Sequence, residues 1–116
     1  MLLNLSNHPS SSWPEKQTQE AEKEYGPIQD MPFPHIDPKS DDQQIRELAQ
    51  IYLDQIITLK PAAVHLMGEL TFTFALVELL KSHGIPCLAS TTTRNTEDLP
   101  EGKKITHFQF VRFRNY

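Results

Sequence analysis

The sequence predicts one α/β domain, a Rossmann-like three-layer sandwich with a mostly parallel sheet in the order 2-1-3-4-5 and an antiparallel C-terminal edge strand. Three observations lead there. Short apolar runs alternate with segments of helical periodicity along the chain. The last apolar run follows a polar loop with no helix between, which places it antiparallel at an edge. The 116 residues, 38% of them hydrophobic, suffice for one core, so residues 1–116 are read as a single domain.

Leu2 to Ser6 is the first strand, apolar and placed mid-sheet. Asn7-His8-Pro9-Ser10-Ser11-Ser12 breaks it. Ser12 is in place to cap a helix from Trp13 to Tyr25, with Pro14 and Glu15 in its first turn. That helix is mostly polar, with Trp13, Ala21 and Tyr25 as a thin buried face. Gly26-Pro27 ends it. Ile28 to Phe33 is a second strand, and Pro32 and Pro34 suit an edge. After Pro38 to Asp42, the residues Ile45, Leu48, Ala49, Tyr52, Leu53 and Ile56 recur at helical spacing to about Thr58.

Ala62 to Met67 is a continuous apolar strand interrupted only by His65. Leu70 to Leu80 is a helix apolar nearly all round, with Gly84 as the residue that closes it. Ile85 to Ser90 is a fourth strand. Asn95 to Lys104 reads as a polar loop. Ile105 to Phe113 alternates, with Ile105, His107, Gln109, Val111 and Phe113 on one face and Thr106, Phe108, Phe110 and Arg112 on the other.

Charge limits the partners. The net charge is −4 and the sequence pI about 5.7, which disfavours a duplex nucleic-acid surface. From Arg94 onward five basic residues face three acidic ones, a local balance of +2 that suits a small anion near Arg94. No segment is long enough to cross a bilayer, and the N-terminal apolar run lacks a basic leader, so a cytoplasmic location is expected. The lone Cys87 excludes a disulfide framework and reads as buried and inert.

A doubly wound sheet binds ligands beyond the carboxyl ends of its strands, where the strand order reverses. In the order 2-1-3-4 this point lies between the first and third strands. The loop Asn7–Ser12 and the loop Gly68-Glu69-Leu70-Thr71 then face each other, with Thr91-Thr92-Thr93-Arg94 beside them. Hydroxyls of Ser10, Ser11, Thr71, Thr91, Thr92 and Thr93 suit phosphate oxygens. Helix N-termini favour an anion, Gly68 permits close approach, and the Arg94 guanidinium matches a phosphate. Asn7, Gly68 and Arg94 are expected to look into one hollow.

Plainer readings stand beside these. His65 reads as a satisfied core residue and His83 as a helix-end residue. Glu69 is equally a functional carboxylate or a first-turn residue. Arg94 pairs as readily with Glu69 or Glu97. There is no dinucleotide fingerprint, Walker loop or zinc spacing, so no metal and no cofactor are expected. His8, Ser10 and Glu69 do not have the spacing of a hydrolytic triad. Three function classes remain open: a nucleotide-processing enzyme, a sensing domain without turnover, and a small hydrolase or transferase using His8 and Glu69.

Asn4-Leu5-Ser6-Asn7-His8-Pro9, Met67-Gly68-Glu69, Ser90-Thr91-Thr92-Thr93-Arg94 and the ending Phe108 to Arg114 together resemble small stand-alone proteins of the CRISPR-associated Rossmann fold (CARF) group. The resemblance implies a homodimer that binds a cyclic oligoadenylate, cyclic tetra-adenylate first among them. In the ring nucleases of that group the ligand is cut without metal. It further implies that Asn7, His8 and Ser10 contact the ligand, that Thr92, Thr93 and Arg94 hold phosphates, and that His8 is the general acid or base, with Arg94 as its catalytic companion. The apolar third helix and the strand bearing Phe108 and Phe110 independently suit a dimer.

Overall fold

The computed structural model covers residues 1–116 and forms one five-stranded sheet in the order β2-β1-β3-β4-β5. The strands are β1 (Leu2–Ser6), β2 (Ile28–Asp30), β3 (Ala63–Met67), β4 (Cys87–Asp98) and β5 (Lys104–Asn115). The helices are α1 (Glu15–Tyr25), α2 (Asp42–Leu59) and α3 (Leu70–Ser82). β1 pairs parallel with β2 and β3, β3 pairs parallel with β4, and β4 pairs antiparallel with β5. The predicted fold class, strand order and antiparallel edge are all present.

Strand alternation explains the three layers. Leu3 and Leu5 of β1 and Val64 and Leu66 of β3 point to one face. There Ile45, Ala49, Leu53 and Ile56 of α2 and Phe72, Leu76 and Leu80 of α3 close the main core. Leu2, Ala63 and Leu88 point the other way and are covered by Trp13 and Ala21, at the start of and within α1. The first helix therefore lies alone on one face.

Local sequence sets the helix ends. Asp41 accepts from the Gln44 amide at 2.8 Å, and the Gln44 side chain accepts from the Asp41 amide at 2.8 Å, a reciprocal capping box. α3 ends as expected, with Gly84 at a φ of +73°, where a side chain would strain the turn.

Three boundaries differ from the sequence reading. Ser12 does not cap α1; it lies in a single 3-10 turn, Ser10–Ser12, where its hydroxyl donates to the Pro9 carbonyl at 2.8 Å, and α1 starts after Pro14. β2 ends at Asp30, because Pro32 and Pro34 supply no ladder donors.

The largest difference is at the C-terminal edge. Half of the expected Asn95–Lys104 loop is strand, Asn95–Asp98 closing β4 and Lys104 opening β5. β4 and β5 form one long hairpin, paired from Leu88 with Asn115 out to Asp98 with Lys104. β3 pairs only with the root of β4, at Cys87 and Leu88, so the rest projects as a two-stranded arm. The radius of gyration is 16.1 Å, against about 13 Å for a compact chain of this length.

A bulge at the foot of the arm changes its faces. Thr91 pairs with Arg112 and Thr92 with Phe110, so Val111 is one residue too many on β5. Phe113 is thereby turned to the face of Phe110, with ring centroids 4.9 Å apart. Simple alternation predicts these two rings on opposite faces.

Candidate functional site

β1 and β3 pair to their last residues, Ser6 with Met67. The loops starting at Asn7 and Gly68 therefore leave the sheet side by side, where the strand order reverses. On the α1 face, a hollow of about 500 Å³ opens there. Its wall is built from four places: His8 and Ser12 of the first loop, Trp13 and Gln17 at the start of α1, His65 and Met67 of β3, and Ser90, Thr92, Phe108 and Phe110 of the hairpin. The volume lies within the usual range of small-molecule sites, about 300–1,000 Å³. In a chain with 15 acidic residues, no carboxylate lines this hollow.

A polar row forms its floor. Asn4, Ser6 and His65 occupy the α1-facing positions just beyond the rows covered by α1, and all three are buried. Asn4 Nδ2 donates to Asp30 Oδ1 at 2.8 Å and to the His8 carbonyl at 2.9 Å. Its Oδ1 accepts from the Ser6 hydroxyl at 2.9 Å and faces His65 Nδ1 at 2.9 Å. His65 Nε2 lies 3.2 Å from Ser90 Oγ. Trp13 meets the His65 ring edge-on at 5.0 Å and donates its Nε1–H to the His8 carbonyl at 3.1 Å. The His8 carbonyl thus accepts from Asn4 Nδ2 and Trp13 Nε1, with the single Ser6 hydroxyl hydrogen shared between it and Asn4 Oδ1, which fixes the loop backbone while leaving the His8 ring exposed.

Burial sets the protonation of this floor. His65 is only 2% exposed, and desolvation, followed by the nearby charge of His8, lowers its pKa to about 4. It is neutral at pH 7. The Asp30 carboxylate also accepts from the Ser10 amide at 3.0 Å and the Ser10 hydroxyl at 2.8 Å. Its pKa is lowered: its partial burial acts to raise it, and the hydrogen bonds from Asn4 and Ser10 outweigh that. Ser10 is therefore committed to Asp30.

The remaining sequence-predicted residues divide. His8 and Thr92 line the hollow. Thr91 and Thr93 sit on the opposite face of β4 by alternation, and the Thr91 hydroxyl donates to the Arg112 carbonyl at 3.1 Å. Arg94 shares the Thr92 face of the arm but lies beyond the hollow, its guanidinium 5.9 Å from the Phe108 ring centroid. It pairs with neither Glu69 nor Glu97; Glu97 lies 3.4 Å from His107 instead. Asn7 and Ser11 are exposed next to the hollow without lining it.

Gly68 is packed against the Phe33 ring so closely that a Cβ would overlap it. Its smallness serves a ring of its own chain. Glu69 caps α3, accepting from the amides of Thr71 at 3.1 Å and Phe72 at 2.8 Å. These hydrogen bonds hold its carboxyl below the usual range. Glu69 and Thr71 line a different hollow, of about 740 Å³, between α2 and α3 on the other face. The sheet thus separates Glu69 from His8, and Asn7, Gly68 and Arg94 do not share one hollow. Their separation has a simple cause: α1 covers one face while α2 and α3 cover the other, so loops adjacent at the sheet edge turn to opposite sides.

Sequence reasoning missed the floor. His65, Asn4 and Ser90 come from three strands, and their separations of 61 and 25 residues carry no spacing signal. The available clue was a histidine alone in an apolar strand, beside a strand with Asn4 and Ser6 at alternate positions.

No helix is long and apolar enough to cross a membrane. No curated protein and no solved structure shows significant similarity to the chain. A family model, by contrast, matches residues 1–114, and the chain belongs to the family it describes, the uncharacterized protein MJ1673 family.

Proposed function

We propose that the protein binds a cyclic oligoadenylate, cyclic tetra-adenylate first among the candidates, as a cytoplasmic homodimer of CARF type, and cleaves it without metal. The observation that carries this reading is the hollow at the strand-order reversal, free of carboxylates and lined by two histidines, three hydroxyl side chains and three aromatic rings. Aromatic faces suit adenine bases, hydroxyls suit ribose and phosphate oxygens, and the absence of carboxylates removes repulsion of an anion. Arg94, on the Thr92 face just outside, is placed to meet a phosphate that extends past the rim.

In such a reaction a ribose 2′-hydroxyl attacks the adjacent phosphorus, and the protein's work is to align the attack and stabilise the developing charge. His8 is the exposed acid–base group at the rim. The dimer is supported by the projecting arm and by Phe108, which is 64% exposed on the hollow's own side of the sheet. One hollow of about 500 Å³ accommodates part of a four-nucleotide ring, and two copies related by a two-fold axis supply the rest.

The deep burial of His65 favours a second reading, a sensor that holds the ligand without turnover. Titration of the purified protein with cyclic tetra-adenylate, followed by chromatography of the mixture, separates the cases. Binding with linear products supports the enzyme. Binding with intact ligand supports the sensor. Intact ligand with no measurable binding overturns both.

A further inference from the structure

The hydrogen bonds beneath the hollow fix where the proton on His65 sits. Asn4 Nδ2 spends both its hydrogens, on Asp30 and on the His8 carbonyl, so the amide orientation is determined. Its Oδ1 is then an acceptor facing His65 Nδ1, and Nδ1 carries the hydrogen. A neutral imidazole with hydrogen on Nδ1 has a bare lone pair on Nε2. That lone pair faces Ser90 Oγ at 3.2 Å. Met67 Sδ is equally near Ser90 Oγ, at 3.2 Å, but a thioether is the weaker acceptor, so the hydroxyl hydrogen goes to the imidazole. Both His65 and Ser90 reach the wall of the hollow.

We infer that Ser90 and His65 form a proton relay that accepts the hydrogen of a ligand hydroxyl, and that Asn4 and Asp30 are the positioning residues that set its direction. This rests on the cleavage reading above. The ligand 2′-hydroxyl passes its proton to Ser90 Oγ as Ser90 passes its own to His65 Nε2. The 2′-oxygen bonds to phosphorus, and the bond from phosphorus to the 5′-oxygen breaks. The leaving 5′-oxygen takes a proton from the His8 imidazolium. The products carry a 2′,3′-cyclic phosphate and a 5′-hydroxyl, and exchange with water returns both histidines to their starting states. The division of labour follows the environments: His65 is buried and neutral, and His8 is exposed at the rim. The ionisable groups acting on His65 are His8 from the first loop and Asp30 through Asn4; the groups facing it from β4, β5 and the start of α1 are Ser90, Phe113 and Trp13, none of them charged.

Two measurements test the relay. Long-range ¹⁵N–¹H correlation spectra of the wild-type protein at pH 7 read the His65 tautomer with no variant and no ligand. Hydrogen on Nδ1 is expected; hydrogen on Nε2 overturns the relay. In cleavage of cyclic tetra-adenylate, Ser90→Ala is expected to lower kcat about a hundredfold with KM within twofold of wild type, and Ser90→Thr, which keeps the hydroxyl, to recover most of it. Undiminished kcat in Ser90→Ala overturns the relay while leaving the ligand assignment intact. Binding without cleavage by the wild type does the same. Absence of binding overturns the relay and the ligand together.

Discussion

Asn4 Oδ1 and His65 Nδ1 lie 2.9 Å apart across paired strands, although 61 residues separate them in the sequence. This contact joins the first loop, through the His8 carbonyl, to the centre of the sheet. Replacing Asn4 with Ala leaves buried His65 Nδ1 without its acceptor and takes one donor each from Asp30 and the His8 carbonyl. The variant is expected to lose about 2–4 kcal/mol of stability, read as a lower urea midpoint at unchanged slope.

The depressed pKa of His65 makes stability depend on pH in a defined window. An unfolded histidine titrates near 6.5, and the folded one near 4. The unfolded state therefore binds the proton first. The contribution is fully present above pH 6.5 and is lost as the pH falls towards 4. Its size is about 3 kcal/mol, from 1.36 kcal/mol per unit. Urea unfolding at pH 7 and pH 4.5 measures it, and His65→Gln should remove most of the difference. Asp30 and Glu69, whose values are lowered, act lower down: their contribution is present above their usual carboxylate values and lost below them.

Gly68 and Phe33 are expected to behave as a coupled pair. Gly68→Ala forces its new methyl into the Phe33 ring and should cost about 1–3 kcal/mol. Phe33→Leu vacates part of that space, so the double variant should be more stable than the sum of the single effects. A double-mutant cycle by thermal or urea unfolding gives the coupling directly.

Phe108 and Glu69 should separate ligand binding from stability. Phe108→Ala removes an exposed ring at the hollow and is expected to weaken cyclic tetra-adenylate about 5- to 100-fold, the range for loss of one stacked base, with the melting temperature nearly unchanged. Glu69→Ala removes the cap of α3 and should cost about 1 kcal/mol, with the ligand affinity of the opposite hollow unaltered. Calorimetric titration beside thermal melts checks both.

The sheet was legible in the sequence because its centre is built from apolar runs such as Leu2–Leu5 and Ala63–Met67, each followed by its helix. The arm was not. Its distal strands are bathed in water on both faces, so Asn95, Thr96, Glu97 and Asp98 show no alternation between apolar and polar. At the site, His8 and Thr92 were found from local chemistry. His65 reads in the sequence as a satisfied core residue, which its hydrogen bonds bear out, but its partners Asn4 and Ser90 become visible only when three strands are placed side by side. Glu69 and Gly68 read as site residues in the sequence because they lie next to the strand end. The choice of side depends on which helix follows, and here α3 carries them away.

The surplus residue at Val111 has a bearing on how the hairpin can vary. Excising that one position would restore an even ladder and leave every ring beyond it facing as it now does. Excising Gln109 instead would invert the parity of everything towards the tip. Length changes in this limb are therefore tolerated at its foot and disruptive along its shaft, and natural or engineered shortening should be sought at the kink.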